Sequence, residues 1–216
     1  MKVLVAGAAG KTARRMVQKL AQEGHEVRGL VRKEEQLPDV EETGADPLLV
    51  DLENEEAEGT VGDAVDGCDA IIFAAGAGPG SGADRKETMD YGGAVKLIEA
   101  AEKHAVGRYL MLSSMGASDP KSGSDAMQPY LHAKSRADER LQNSNLNYTI
   151  IRPGSLTNEE GTGRIQAAPS IGHRGQISRD DVAETFVAAL EAENTYRKTF
   201  EILSGDTPIS EALERV

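Results

Sequence analysis

Cysteine is nearly absent: Cys68 stands alone in a chain of 216 residues. One thiol excludes an internal disulfide and suits a reducing compartment, so a cytoplasmic location is expected. Set between Gly67 and Asp69 and followed by an apolar run, Cys68 reads as a small residue at the edge of the core. Long apolar runs are missing as well. With no stretch of about eighteen apolar residues, no membrane span is expected. Nor is a secretory leader, because Gly7 and Gly10 break the charged-then-apolar layout almost at once. Positive charge is scarce: 24 Lys and Arg against 36 Asp and Glu leave a net charge of −12. Nucleic-acid contacts need a basic face, so this balance argues against a general nucleic-acid binder. The acidity fits either plain solubility or a salty cell interior. His25, His104, His132 and His173 lack a spaced Cys, His or carboxylate partner, and no metal site is expected. A Gly-x-Ser-x-Gly elbow is also missing, which argues against a hydrolase.

What is present begins at the amino end. Val3, Leu4 and Val5 read as a short buried strand, and Gly7, Gly10 and Ala13 follow in a Gly-x-x-Gly-x-x-Ala turn. Met16, Val17, Leu20 and Ala21 then carry helical spacing over Lys11 to Gln22. A strand that passes through small residues into a helix start leaves backbone N–H groups free for a diphosphate. Gly7, Ala9, Gly10, Lys11, Thr12 and Ala13 are the candidates for that contact. His25 to Val31 reads as a second strand, which completes a βαβ unit. At its tip an NAD site would carry a carboxylate for the ribose 2′-hydroxyl. Here stand Arg32 and Lys33, with Lys11 and Arg14 expected close by in the first loop and helix, and guanidinium can grip a 2′-phosphate in a fork. NADP is therefore favoured over NAD.

Asp46 to Val50 reads as a third strand. Beyond it, either Asp51 and Leu52 meet the adenine or Asp51 merely caps the next turn. Residues 53–67 read as an acidic helix with Ala57, Val61, Ala64 and Val65 on one side, and Cys68 to Ala75 as a fourth, nearly all apolar strand. Its exit, Gly76 to Gly82, holds four glycines. Position at the opening of a doubly wound sheet gives Ala74, Ala75 and Gly76 a place beside the cofactor ribose, with Gly78 to Ala83 as a mobile lip. Thr88 to Lys103 reads as a helix, Arg108 to Leu112 as a strand ending at Ser113 and Ser114, 130–143 as a helix and Asn147 to Ile151 as a sixth strand. Residues 155–178 show no sustained period. A capped helix from Arg179 to about Ala192, a strand over Thr199 to Leu203 and a helix from Ile209 close the chain. Such alternation predicts an α/β fold, a doubly wound, mainly parallel sheet flanked by helices, in one domain over 1–216.

Tyr130 and Lys134 lie one helical turn apart on one face. An ammonium beside a phenol favours phenolate, so the Tyr130 pKa is expected to fall towards the working range. The phenol would exchange a proton with a substrate oxygen while hydride moves to or from nicotinamide. Lys134 would also bond the cofactor ribose, and Ser113 or Ser114 would polarise the same substrate oxygen. His132 is turned away from this pair.

Taken in order, Gly7-x-x-Gly10-x-x-Ala13, Arg32, Asp51-Leu52, Ala74-Ala-Gly76, Ser113-Ser114, Tyr130-x-x-x-Lys134 and Arg152-Pro-Gly154 resemble the short-chain dehydrogenase/reductase superfamily. The closer likeness is to its atypical and extended members: NAD(P)H-binding, NmrA-like and epimerase/dehydratase-like proteins. Ile150 to Gly154 and Ile177 to Val182 are particularly similar to the atypical branch. The resemblance implies a Rossmann fold of about seven parallel strands with the dinucleotide over Gly7–Ala13. It implies Tyr130 as acid/base, Lys134 as its partner, Ser113 or Ser114 as the polarising hydroxyl, and Arg152, Pro153 and Gly154 beside nicotinamide and substrate. An alternative alignment puts Met115 at the serine position. Ala6 and Ala13 depart from the family's Thr and Gly but still permit binding.

The chain is short after its sixth strand, with only 155–178 as a substrate-side portion. This favours a small-molecule substrate, such as a quinone, flavin or carbonyl compound, over a nucleotide sugar. Two readings follow: an NADP-dependent oxidoreductase, or an NADP(H)-binding redox sensor without turnover; a sugar epimerase or dehydratase is a further alternative. A monomer or homodimer is expected.

Overall fold

Apolar residues in unbroken runs build the centre of the molecule. The computed structural model describes residues 1–54, 58–78 and 80–216; Ala57 of the acidic helix and Pro79 of the glycine-rich run lie outside the described residues. β1 (Lys2–Ala6) buries Val3, Leu4, Val5 and Ala6, leaving neither face to water. Strand alternation sends Val3 and Val5 into one core layer and Leu4 and Ala6 into the other. α1 (Lys11–Gln22) buries Ala13, Met16, Val17 and Leu20, a stripe at intervals of three and four. β2 (Glu26–Val31), α2 (Leu37–Glu41), β3 (Asp46–Leu49), α3 (Glu58–Val65) and β4 (Ala70–Phe73) follow.

Next come α4 (Ala83–Arg85) and a π-helical segment, Lys86–Gly93, that runs into α5 (Ala94–Lys103). The sequence reads there as one α-helix from Thr88. Gly92 and Gly93 are poor α-helix formers, and the wider turn sets Met89 and Asp90 inward as buried residues. β5 (Arg108–Leu112), α6 (Gln128–Gln142) and β6 (Asn147–Pro153) come next. Residues 155–178 supply β7 (Ser155–Thr157), β8 (Arg164–Ala168) and β9 (Gln176–Ser178), too short or too exposed to show a period. α7 (Arg179–Leu190), β10 (Lys198–Ser204), β11 (Thr207–Pro208) and α8 (Ile209–Glu214) complete the chain.

A nine-stranded sheet runs β11-β8-β10-β6-β5-β4-β1-β2-β3. All pairs from β10 to β3 are parallel, and β8 and β11 close the other edge antiparallel. β7 and β9 form a separate parallel pair. This is the Rossmann-type order. The chain leaves β1 towards β2 and β4 towards β5, in opposite directions along the sheet, so a crevice opens between the carboxyl ends of β1 and β4.

Gly7 sits at that crevice with φ +78°, and a Cβ there would lie 2.6 Å from the Ala75 Cα. Gly24 has a similar φ of +85° with nothing within 4 Å of its Cβ position. Gly24→Ala therefore carries only the left-handed backbone cost, about 1–2 kcal/mol. Gly7→Ala adds a backbone clash that no side-chain rotation relieves, and urea denaturation should show the larger loss for Gly7→Ala. Equal losses would mean the two loops part freely.

Candidate active site

The turn after β1 is pinned to β2. Gly7 and Ala8 N–H both donate to the Leu30 carbonyl (3.2 and 3.0 Å), and Gly10 N–H donates to the Gly7 carbonyl (2.8 Å). α1 then starts with no side-chain cap and no acidic residue in its first turn. α7 has both: Ser178 accepts from the Asp181 N–H, and Asp180 and Asp181 occupy its first turn. The bare amino end of α1, with the positive pole of the helix dipole, fits a diphosphate. A cleft of about 280 Å3 opens beside it, and Gly7, Ala9, Gly10, Arg32, Leu52, Ala74, Ala75 and Gly76 all line it. The residues present thus fit a dinucleotide.

Other expected cofactor residues point elsewhere. Thr12 and Ala13 are buried beneath the helix start, and Lys11 is exposed. Only their backbone N–H groups are positioned for a diphosphate. The Lys33 ammonium turns to Glu35 (3.0 Å) and Arg14 pairs with Asp39 (3.0 Å). Asp51 accepts from the Glu53 N–H (2.9 Å), which is the turn-capping alternative. Gln36, Arg85 and Met89 line the cleft without any local signal in the sequence.

Tyr130 and Lys134 do share a face of α6: the ammonium lies 5.9 Å from the Tyr130 ring centroid. Lys134 is buried, donates to the Leu112 carbonyl (3.0 Å) and stands 3.7 Å from Asp90 Oδ1. The other Asp90 oxygen accepts from the Ala77 N–H (3.1 Å), so Asp90 ties the ammonium to the backbone of the cofactor cleft. Burial pushes the Lys134 pKa down, against the pull of Asp90 and Asp138. The Tyr130 pKa is raised, by burial first and then by Asp90 and Asp138, with the Ser114 hydroxyl acting the other way. This corrects the expected fall. The ammonium is engaged by Leu112 and Asp90, and the phenol feels burial and the carboxylates instead. At neutral pH it keeps its proton.

The two serines after β5 separate cleanly. Ser113 is buried and donates to Asp138 Oδ2 (2.8 Å), which also accepts from Arg152 Nε (2.9 Å). Ser114 acts on the Tyr130 phenol and lines a second cavity of about 520 Å3. Met115, Leu131, Pro153, Gly154 and Glu201 share that lining, with Ser170 and His173 from the segment after β6. The side chain of Arg152 is absent from it, being committed to Asp138. Asp90 and Glu201 were missed by sequence reading, because each acquires its role through packing. Cys68 is buried, and burial pushes its thiol pKa up, the reverse of a reactive thiolate. Among the described residues no cluster of His, Cys, Asp or Glu could hold a metal ion, and no helix is long and apolar enough to cross a membrane.

The family model for NAD(P)H-binding proteins matches residues 7–193. The chain belongs to that NAD(P)H-binding family. It is 45% identical to the uncharacterized sugar epimerase YhfK of Bacillus subtilis, with 100% of each chain covered. It superposes with a TM-score of 0.94 on a Bacillus halodurans protein named as a candidate NAD-dependent epimerase/dehydratase, at 43% identity over the whole of both. With the oxidoreductase ylbE of Lactococcus lactis the TM-score is 0.86 at 32% identity, over 100% of this chain and 96% of that one. These relatives agree with the resemblance to atypical and extended short-chain dehydrogenases, and make the family oxidoreductase-like.

Two outcomes test this geometry. Ser113→Ala should cost about 1.5–3 kcal/mol in urea denaturation, since a buried charged group loses a donor. Ser114→Ala should stay within about 0.5 kcal/mol. Ultraviolet difference titration of wild type against Tyr130→Phe should show no phenolate from Tyr130 up to its ordinary pKa of 10.0. Phenolate appearing near neutrality would contradict the burial argument.

Proposed function

We propose that this protein is an NADP-dependent oxidoreductase acting on a small carbonyl, quinone or flavin-like substrate, with Tyr130 moving the proton. The observation that carries this reading is the position of Tyr130 between the two cavities: Ser114, which acts on the phenol, lines the second, and Asp90, which also acts on it, bonds Ala77 in the wall of the first. Gly7, Ala9 and Gly10 would seat the diphosphate at the start of α1, Leu52 the adenine, and Ala74 to Gly76 the ribose side. Arg32 would meet the 2′-phosphate. Bound nicotinamide supplies or accepts the hydride. Ser114 holds the substrate oxygen beside the phenol, Tyr130 gives that oxygen its proton, and Lys134 and Asp90 fix the phenol's surroundings. Pro153 and Gly154 bound the substrate, with Met115 and Leu131 excluding water.

Epimerase wording in the names of two relatives favours a second reading, in which the hydride returns to the same substrate. Consumption of NADPH separates the two, because only the oxidoreductase uses it up. With a carbonyl and quinone panel, Tyr130→Phe should lower kcat by about 10²–10⁴-fold while the NADPH affinity stays unchanged. Turnover indifferent to this substitution would remove Tyr130 from the chemistry.

A further inference from the structure

At the outer end of the cofactor cleft three charged side chains from separate elements meet: Arg32 beyond β2, Glu53 beyond β3 and Arg85 at the end of α4. Both arginines line the cleft. Glu53 Oε2 accepts from Arg85 Nη2 (2.7 Å) and Nε (3.0 Å), and only loosely from Arg32 Nη1 (3.5 Å). Its other oxygen accepts from the Thr88 hydroxyl (2.6 Å). The carboxylate is the most enclosed of the three, 20% exposed against 31% for Arg85 and 37% for Arg32.

A carboxylate at this end of a dinucleotide site ordinarily works against a 2′-phosphate: it accepts from the free 2′-hydroxyl and repels the phosphate. Glu53 stands close enough to Arg32 to neutralise it. Arg85 holds one Glu53 oxygen through two N–H groups while Thr88 holds the other, and charge-assisted contacts of this kind are the strong ones. The trio then has one positive charge in excess, and the loose 3.5 Å contact leaves that charge on Arg32.

We infer that Arg85 sets the cofactor preference indirectly: it engages Glu53, and so leaves the Arg32 guanidinium available to a 2′-phosphate. Arg85 is thus a positioning residue, and Glu53 is a latent NAD determinant kept silent by it. The inference rests on the reading of this cleft as an NADP site with Arg32 at the phosphate.

Calorimetric titration with NADPH and NADH tests it on the wild type, Arg32→Ala, Arg85→Met, Glu53→Gln and the Glu53→Gln/Arg85→Met double variant. Arg85→Met should lower the NADPH-to-NADH affinity ratio by about tenfold, the scale of a hydrogen bond to a charged group. The double variant should recover the wild-type ratio to within about threefold, because the carboxylate that captures Arg32 is gone. Glu53→Gln alone should keep or raise the ratio, which provides a reading even if Arg85→Met fails to fold. Equal losses for both cofactors in Arg85→Met, no recovery in the double variant, or a fall in the ratio for Glu53→Gln would each overturn the inference. Should Arg32→Ala leave the ratio unchanged, the phosphate reading itself fails. If Arg32→Ala lowers it and Arg85→Met does not, only the role given to Arg85 fails.

Discussion

The close approach of two loops governs this molecule. Where β1 ends, Gly7 lies so near the backbone of Ala75 beyond β4 that there is no room for a methyl group between them. Parallel strands force their connections to depart from the same edge of the sheet, and between β1 and β4 those connections turn apart. Contact at Gly7 and Ala75 closes the floor of the crevice, while the departing loops form its walls. The cleft therefore follows from the strand order together with one small residue. Anchoring of Gly7 and Ala8 N–H to Leu30 brings the tip of β2 into the same rim, and with it Arg32.

Around Tyr130 the governing quantity is burial, and two enclosed carboxylates act in the same direction. Asp90 and Asp138 are each 1% exposed and oppose loss of the phenolic proton. Their cations, Lys134 and Arg152, are held by the carboxylates and by the Leu112 carbonyl, so neither presents a free charge to the phenol. Asp138 Oδ1 is buried without a hydrogen-bond partner, and its pKa is raised, first by burial. This field makes the phenol a weak acid, so in the proposed reaction it gives up its proton only to a strongly basic oxygen such as a developing alkoxide.

Legibility in the sequence tracked how local each determinant is. β1, α1 and β2 could be read because each carries its pattern within a few residues: an apolar run, a stripe at three and four, a glycine turn. Leu52, Ala74 and Gly76 reach the cleft because strand ends are fixed by topology, which alternation reveals. β7, β8 and β9 were invisible, since their pairing partners come from elsewhere and short, half-exposed strands have little pattern of their own. The π-helical segment escaped for a related reason: it runs straight into α5, and only packing of Met89 and Asp90 reveals the wider turn. Ser113 and Ser114 are alike as neighbours, and what distinguishes them is which α6 side chain each meets, the buried Asp138 or Tyr130. Spacing alone placed Lys134 near Tyr130 correctly and yet gave the wrong sign for the phenol, because burial, and Asp90 from a distant segment, leave no trace in local spacing.

The same distinction between local and global applies to charge. An acidic chain of net charge −12 repels an anionic cofactor at long range, but salt screens that repulsion beyond about 8–10 Å. Inside that distance, arrangement decides. The amino end of α1 has been left free of carboxylates, whereas α7 carries two in its first turn. At the rim of the cleft, among the described residues, Glu53 is the acidic side chain that reaches Arg32, and it does so already bound by Arg85 and Thr88. Overall acidity therefore says little about what this protein binds; the placement of two arginines against one enclosed carboxylate says much more.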